Sequence, residues 1–415
     1  MASEVSGLEP LEECYRKRGS DEMHIGLFTD CYTPQVNGVV RSVKLLEEEL
    51  RRLGHRVTVI TIKIPDDHRL EEIDGHILRI PSVPFRKWSE FRLGIPMYNE
   101  TYRKIKKLKL DVIHTHTEFT VGLIGKHMST LMDIPIVHTY HTMYEDYSHY
   151  VFDHKYGKRV VKKLITTGSK IYVKRYDSII APTSKTRQAL RSYGVRNVIN
   201  IIPTGIDLIK FKHHKSPLEN LNLRRSYGLS QDDYLLLSLG RLSKEKSVDR
   251  LIDQLPKVLR FVPKAKLLIV GDGPYKSTLM KQVKEMGLEE AVVFTGQVPF
   301  EEVGGFYCAA DLFVNASPSE TQGLTIVEAI ASKLPVVVYD DLNVEGLVMR
   351  GATGRLFKTE EGLGNQIIGA YNNDEETRRM ADKAYVIVQG LSKESYALNV
   401  QHVYEDMVKT MLMVL

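Results

Sequence analysis

The sequence predicts an α/β fold of two doubly wound domains, each built on a parallel sheet, that face each other across a cleft. Short apolar runs of strand length alternate with helical patterns along the chain, and the segments between them are short. Strand, helix, strand units with short connections are typical of parallel sheets. At 415 residues the chain also exceeds what one core usually contains, so two domains are expected.

The first predicted domain spans residues 23–205. It opens with the strand His24–Thr29, a loop from Tyr32 to Gly38, and a helix from Val39 to Leu53. Its further strands are predicted at Arg56–Ile62, Gly75–Ile80, Val112–His114, Pro135–His138 and Ser178–Ala181. Residues 1–22 have no apolar core, so we interpret them as a leader or a surface helix and not as a secretory signal.

The second predicted domain spans residues 206–390. Its strands are predicted at Tyr234–Leu239, Lys266–Val270, Ala291–Phe294, Leu312–Asn315 and Val336–Tyr339. Residues 391–415 read as a separate final helix. Because ligands of doubly wound folds bind outside the carboxyl ends of the strands, a binding crevice is expected where the two sheets face each other.

Composition and charge limit the function classes. No apolar run approaches the roughly 20 residues of a membrane span. Three scattered cysteines provide neither a disulfide framework nor metal-ligand spacing, which fits a reducing cytoplasm. The net charge of +5 is unevenly distributed, with eight Lys or Arg against two Glu in residues 86–110 and eight against two Asp in residues 151–177. These basic clusters could bind RNA, but no nucleic-acid recognition module accompanies them, so nucleic acid is not expected as a partner.

The first basic cluster contains aromatic side chains between its cations. A helix of that kind can lie in a bilayer interface, with its aromatic side inserted and its cations on anionic head groups. We therefore predict one helical segment over Phe85–Lys109 that contacts the membrane through Arg86, Lys87, Trp88, Phe91 and Arg92. The alternative is a solvated helix face, which is the usual meaning of a Lys-rich run.

Two carboxylates mark the most informative segment, Glu320-Thr-Gln-Gly-Leu-Thr-Ile-Val-Glu328. It follows a predicted buried strand, and it combines a turn containing Gly with the start of an apolar helix. The amides at a helix start can hold a phosphate, so the segment could hold both ends of a nucleoside diphosphate sugar. An ordinary helix with two solvated Glu is the alternative for an isolated pair.

The first strand of each domain is followed by a loop with candidate binding residues. In the second domain these are cations, and in the first domain the loop contains a glycine. Arg241 and one of Lys244 and Lys246 come directly after the strand Tyr234–Leu239, where they can converge on a diphosphate and stabilise it in place of a metal. In the first domain, the loop before Val39 contains Gly38, which permits close approach of a phosphate or an acceptor. The loop is not a GxGxxG fingerprint, which counts against an NAD enzyme.

Seven histidines lie between His114 and His154, which raises the hypothesis of a metal site. The stretch around His141 supplies no Glu-x-x-His pair and no cysteine at zinc spacing. An acceptor-orienting polar group is therefore the favoured role for His141, and no dedicated metal site is predicted.

Taken in order, these motifs resemble the family 4 retaining glycosyltransferases, whose two Rossmann-like domains face each other across a cleft (GT-B). The likeness runs over about residues 23–405. Two segments, residues 30–39 and 139–147, are similar to those of the bacterial diacylglycerol glucosyltransferases. It selects Lys246 over Lys244, and it implies that the final helix packs back on the first domain. The implied catalytic residues are His141, Arg241, Lys246 and Glu320. The implied donor-binding residues are Gly38, Arg241, Lys246, Val298, Glu320, Gln322, Gly323, Leu324 and Glu328.

The resemblance implies transfer of glucose from UDP-glucose to the free hydroxyl of diacylglycerol, with retention of configuration and without an obligatory metal, although Mg²⁺ can assist. The implied place is the cytoplasmic face of the membrane, on an anionic phospholipid surface. Within the same architecture three alternatives stay open: another lipid or glycan acceptor, a UDP-sugar 2-epimerase, and a non-catalytic binding module. A double displacement with Glu320 as nucleophile also stays open.

Overall fold

Two parallel sheets organise the residues that the computed structural model describes, which are 22–35, 37–64, 76–84, 92–95, 99–141, 166–212 and 216–414. In chain order the strands are β1 (His24–Phe28), β2 (Arg56–Ile62), β3 (Ile77–Ile80), β4 (Ser82–Pro84), β5 (Arg92–Gly94), β6 (Val112–Thr115), β7 (Ile136–Thr139), β8 (Ser178–Ala181), β9 (Val198–Ile201), β10 (Tyr234–Leu239), β11 (Ala265–Val270), β12 (Val292–Gly296), β13 (Leu312–Asn315), β14 (Val336–Tyr339) and β15 (Arg355–Phe357).

Helices separate most of the strands. The α-helices are α1 (Gly38–Arg52), α2 (Asn99–Lys107), α3 (Thr120–Met132), α4 (Ser184–Ser192), α5 (Leu208–Lys212), α6 (Pro217–Ser226), α7 (Val248–Phe261), α8 (Lys276–Glu285), α9 (Val303–Ala309), α10 (Leu324–Ala331), α11 (Glu360–Asn372), α12 (Asp374–Val388) and α13 (Lys393–Val414). Residues 166–173 are also helical.

The sheet orders are those of doubly wound folds. The first sheet runs β3-β2-β1-β6-β7-β8-β9 and the second runs β12-β11-β10-β13-β14-β15. All of these neighbours are parallel. In each sheet the chain reverses its direction of winding beside the first strand of that sheet, β1 or β10, so the loops after those strands lie where a crevice forms. The predicted α/β class of two doubly wound sheets is confirmed.

Apolar clusters cover both faces of each sheet. Val59 and Val137 of the first sheet pack with Leu46 and Leu50 of α1 on one face, while Ile113 and Ile179 pack in a separate cluster. The second sheet is divided in the same way between two clusters. Strands that are buried on both faces are apolar along their whole length, which is why the predicted strand positions agree with the structure.

The chain passes between the two sheets twice, at neighbouring points. The amide of Ile206 donates to Leu391 and the amide of Lys393 donates to Ile206, both at 3.0 Å. The final helix α13 then packs on α1 of the first sheet, with Tyr396 and Tyr404 fully buried.

Three details differ from the sequence predictions. The edge strands β9 and β15 were not predicted, because β15 has only three residues and β9 carries an exposed Val198. The prediction of one helix over Phe85–Lys109 is wrong: β5 pairs antiparallel with β4, and the helix α2 covers only Asn99–Lys107. Arg92 stabilises that hairpin, since its guanidinium donates to the hydroxyl of Ser82 at 2.9 Å and to the Ser82 carbonyl at 3.0 Å.

Candidate active site

Several of the predicted donor-binding residues lie at the carboxyl ends of β10 and β13, which are neighbours in the second sheet. The loop after β10 carries Arg241 and Lys246, and the turn after β13 carries Glu320. The turn after β11 packs closely against the loop after β10, because a Cβ atom at Gly273 would lie 2.3 Å from the Leu242 carbonyl oxygen. Only glycine allows the two backbones to approach so closely. This agrees with a structural role for the Gly271–Pro274 turn.

Glu320 forms an ion pair inside the second domain. Lys246 Nζ lies 2.8 Å from Glu320 Oε1, and the Asn315 amide donates to the same oxygen at 3.5 Å. Burial alone would raise the pKa of the Glu320 carboxyl, but Lys246 and the hydrogen bonds of Asn315 and Ser317 outweigh it, so the pKa is lowered. Glu320 is therefore an anion at working pH, positioned to accept hydrogen bonds from sugar hydroxyls.

The turn after Glu320 leads into the N-terminus of α10. Gly323 adopts φ +72°, a left-handed conformation that favours glycine, and forms the N-cap of α10 without a side-chain cap. A Cβ atom at Gly38 would lie 3.9 Å from the Leu324 side chain. Gly38, at the start of α1, therefore faces Leu324, at the start of α10, across the two domains.

Glu328 is paired across the domains. Its carboxylate is fully buried, Arg41 of α1 contacts Oε1, and the Tyr307 hydroxyl donates to Oε2 at 2.8 Å. The Arg41 guanidinium also lies 4.0 Å from the ring centroid of Phe300, in the loop after β12. A cation–π contact and an ion pair thus hold Arg41 between the loop after β12 and the Glu328 carboxylate.

Three contacts from the first domain fix the Glu320 turn. The Thr183 hydroxyl donates to the Thr321 carbonyl at 3.0 Å. Lys185 Nζ donates to the carbonyls of Pro318 and Glu320, at 3.1 and 3.3 Å, and forms an ion pair with Asp341. The Gln322 side chain bonds both backbone groups of Thr204 at 2.8 Å. The turn is therefore part of the domain interface.

His141 follows β7, at the carboxyl edge of the first sheet. Its Nε2 lies 3.0 Å from His116 Nδ1. Burial, and next the charge of His138, lowers the pKa of His141 to about 3. A neutral imidazole fits the predicted role of His141, which is to orient the acceptor through a hydrogen bond and needs no charge.

The remaining predicted residues lie apart from these contacts. Arg241 is exposed, and the structure shows no ion pair for it in the described part of the chain. Val298 is partly buried in the loop before Phe300. Arg92 is bonded within its hairpin. Arg86, Lys87, Trp88 and Phe91 lie outside the described residues, so their membrane role stays a prediction.

The sequence interpretation missed Arg41 and Lys185 in the donor site. Arg41 lies in the first turn of α1, the helix that follows the loop after β1, and Lys185 lies in the first turn of α4, directly after β8. That position was a usable signal, because side chains there reach the carboxyl edge of the sheet. Their partners in the second domain could not be read from local sequence.

Among the described residues, no cluster of three or more His, Cys, Asp or Glu is arranged to hold a metal ion. In the same residues no helix combines the length and the apolar character of a membrane span.

Known proteins with these features are glycosyltransferases. Residues 36–210 match the profile of Glycosyltransferase Family 4, and residues 219–386 match that of glycosyl transferases group 1. An alpha-monoglucosyldiacylglycerol synthase of Streptococcus pneumoniae is 37% identical over 92% of this chain and 86% of that protein. A synthase of the same name from Acholeplasma laidlawii is 35% identical over 93% of this chain and 98% of that protein.

Solved structures agree on the fold. HepE from Anabaena, in complex with UDP and glucose, has a TM-score of 0.74 at 21% identity and covers 92% of this chain and 100% of its own. Sucrose-phosphate synthase from Thermosynechococcus elongatus has a TM-score of 0.75 at 22% identity, with 94% and 100% covered. The chain therefore belongs to the family 4 glycosyltransferases, and it is a glycosyltransferase with the GT-B fold.

Proposed function

We propose that this glycosyltransferase moves glucose from UDP-glucose to the free hydroxyl of 1,2-diacylglycerol and gives monoglucosyldiacylglycerol with retained configuration. The observation that carries the proposal is the likeness, over almost the whole chain, to two alpha-monoglucosyldiacylglycerol synthases. The pairing of Lys246 with Glu320 supports it, because it places a cation suited to a diphosphate beside a carboxylate that can accept hydrogen bonds from sugar hydroxyls.

The site suits a front-face transfer. The acceptor oxygen forms a bond to the anomeric carbon while the bond from that carbon to the diphosphate breaks, and the acceptor proton passes to the departing phosphate oxygen. Arg241 and Lys246 stabilise the diphosphate, Glu320 holds sugar hydroxyls and Glu328 holds ribose. The amides of Gln322, Gly323 and Leu324 bind phosphate and sugar, while Val298 lies on the base side. Gly38 and His141 line the acceptor side.

Cations of the protein replace a metal at the leaving group in this proposal. Activity is expected to persist in excess chelator, because Arg241 and Lys246 carry the charge that stabilises the diphosphate. The assay is run in detergent micelles without anionic lipid, so that divalent ions cannot act through head groups. Complete loss that added Mg²⁺ restores would contradict the metal-free chemistry.

The proposed place of reaction is the surface of an anionic membrane on its cytoplasmic side. Diacylglycerol cannot leave the bilayer, so the first domain has to reach it, and the basic residues of that domain are suited to phosphatidylglycerol. Changing Arg86, Lys87 and Arg92 together to Glu is expected to weaken binding to phosphatidylglycerol vesicles, and high salt to abolish it. Arg92→Glu alone is the control, because Arg92 is bonded to Ser82.

One assay separates the proposal from its alternatives. The purified protein is offered several nucleotide sugars, each with and without diacylglycerol in phosphatidylglycerol vesicles, and the products are identified by NMR. A glucolipid with an α linkage, formed from UDP-glucose only when diacylglycerol is present, is the expected result. Conversion of UDP-N-acetylglucosamine to its 2-epimer without acceptor would support an epimerase. Transfer to another lipid or a glycan, with none to diacylglycerol, would keep the enzyme class and replace the acceptor.

A further inference from the structure

Three histidines form a stack below the acceptor side of the cleft: His114, His116 and His141. The ring centroids of His114 and His116 are 4.0 Å apart, and those of His116 and His141 are 5.3 Å apart. Both nitrogens of His114 are bonded, Nδ1 to the Tyr404 hydroxyl at 2.6 Å and Nε2 to the Thr139 hydroxyl at 2.7 Å. The ring of His116 is thus held between a fixed imidazole on one side and His141 on the other.

His116 has one hydrogen bond from its side chain among the described residues, and its partner is His141. Nδ1 of His116 lies 3.0 Å from Nε2 of His141. Nε2 of His116 is buried and has no hydrogen-bond partner within the described ranges, and the residue is 1% exposed. Buried imidazole nitrogens are normally bonded. A histidine that leaves one nitrogen unsatisfied is costly to keep, so a role through His141 is the natural reason for its presence.

The contact between the two imidazoles requires one donor and one acceptor. Burial first, and then the neighbouring histidines, lowers the pKa of His116 well below its usual value, and burial lowers that of His141 to about 3. Both rings are therefore neutral, with one proton each. Either His116 donates from Nδ1, which leaves the proton of His141 on Nδ1, or His141 donates from Nε2, which leaves its Nδ1 bare.

The proposed front-face transfer distinguishes these two arrangements. Because the acceptor proton passes to the departing phosphate, a group that holds the acceptor oxygen must donate to that oxygen and not take its proton. We infer that His116 donates from Nδ1 to Nε2 of His141 and so holds His141 in the tautomer that carries its proton on Nδ1. His116 is then a positioning residue, and His141 is a hydrogen-bond donor to the acceptor hydroxyl. The inference rests on the proposed transfer reaction.

NMR of histidine labelled with ¹⁵N tests the tautomer without any substrate. Two-bond correlations identify which ring nitrogen carries the proton, and the His141→Gln variant assigns the signal. The wild-type protein is expected to show His141 protonated on Nδ1. His116→Leu should shift His141 toward the other tautomer, while His116→Asn, whose amide nitrogen lies near the position of Nδ1, should preserve it. A wild-type His141 protonated on Nε2, or one unchanged by His116→Leu, would overturn the inference.

Kinetics then separate positioning from a structural role. His116→Leu should lower the rate of transfer to diacylglycerol about 10-fold to 100-fold, the range for loss of a group that orients a functional histidine. Hydrolysis of UDP-glucose without acceptor should change by less than about 2-fold, because the donor contacts remain. His116→Asn should recover most of the transfer rate. An equal fall of transfer and hydrolysis in His116→Leu would mean that His116 only supports the fold.

His138 provides a matched control. It is as buried as His116 and is bonded to the Thr115 hydroxyl at 2.8 Å and to Glu118 at 3.2 Å. His138→Leu should lower the melting temperature and leave the ratio of transfer to hydrolysis unchanged; a lowered ratio would overturn the specific role of His116. Absence of both reactions in the wild-type protein would refute the proposed function, and the tautomer measurement would still decide whether His116 sets His141.

Discussion

Glu320 and Glu328 lie at the two ends of one turn and helix, yet their partners come from different domains. Lys246, the partner of Glu320, belongs to the second domain, as Glu320 does. Arg41, the partner of Glu328, belongs to the first. The Glu320 side chain is 12% exposed, while that of Glu328 is completely buried.

The difference divides the donor site into a preformed end and an exchangeable end. The pair of Glu320 and Lys246 forms between two loops of the second domain, and the first domain contacts the backbone of the Glu320 turn, so we expect the proposed sugar and diphosphate end to be organised before the donor binds. Glu328 has no exposed surface while Arg41 contacts it, so in the proposed donor complex ribose reaches it only after Arg41 moves away. Under that proposal, nucleotide binding is coupled to separation of this interdomain pair.

The largest effect is expected at the preformed end. Lys246→Ala should lower kcat at least ~100-fold, because it removes a cation from the leaving diphosphate and leaves the buried Glu320 carboxylate without its ion pair. Lys244→Ala is the matched control, since Lys244 is exposed in the same short loop, and it should retain most of the activity. Steady-state rates with UDP-glucose measure both. Near-normal turnover in a folded Lys246→Ala protein would show that this end does not bind the diphosphate.

Local sequence patterns predicted the fold and the preformed end for the same reason. Buried parallel strands are apolar runs, and ligands bind beyond their carboxyl ends, so the loops after β10 and β13 could be singled out from their positions. The choice of Lys246 over Lys244, and the role of Glu320, came from the family resemblance. Long-range partners leave no such pattern. Arg41 and Glu328 are separated by 287 residues in the chain, and neither flanking sequence indicates the other.

The hairpin of β4 and β5 shows a second limit. The strand β5 lies in the segment Phe85–Lys109, which mixes cations and aromatic residues as an interfacial helix does. The two strands have only three residues each, too few for a period of two to appear in the sequence. The hydrogen bonds of Arg92 to Ser82, which stabilise the hairpin, form only in the folded chain.

Removing each carboxylate in turn tests the division between the two ends. Glu328→Ala should weaken UDP binding roughly 10-fold to 100-fold, the range for loss of hydrogen bonds to a charged group. Glu320→Ala should leave the Kd of UDP nearly unchanged, because UDP lacks the glucosyl group that Glu320 is proposed to hold, but should lower kcat with UDP-glucose. Calorimetric titration with UDP and steady-state kinetics measure the two effects. The reverse ranking would refute the assigned roles.

A smaller effect is expected where the first domain holds the Glu320 turn. Lys185→Met removes a donor from the carbonyls of Pro318 and Glu320 and should lower kcat/KM for UDP-glucose about 10-fold, since the turn loses its support. Arg187→Met, at an exposed position of the same helix, is the control. Unchanged kcat/KM in Lys185→Met would mean that the second domain holds the turn by itself.

The smallest effect, and the one with opposite sign, is expected at Arg41. Arg41→Met keeps an unbranched side chain against Phe300 but frees Glu328 from its cation, so UDP no longer has to displace it. A partly exposed ion pair contributes about 1 kcal/mol, which corresponds to roughly fivefold tighter UDP binding in the variant. Lys44→Met is the control, because Lys44 lies on the same helix, is largely exposed and pairs with Glu48 at 3.9 Å. Weaker binding of UDP to Arg41→Met would show that Arg41 contacts the nucleotide directly, and the exchangeable end would then consist of Arg41 and Glu328 acting together.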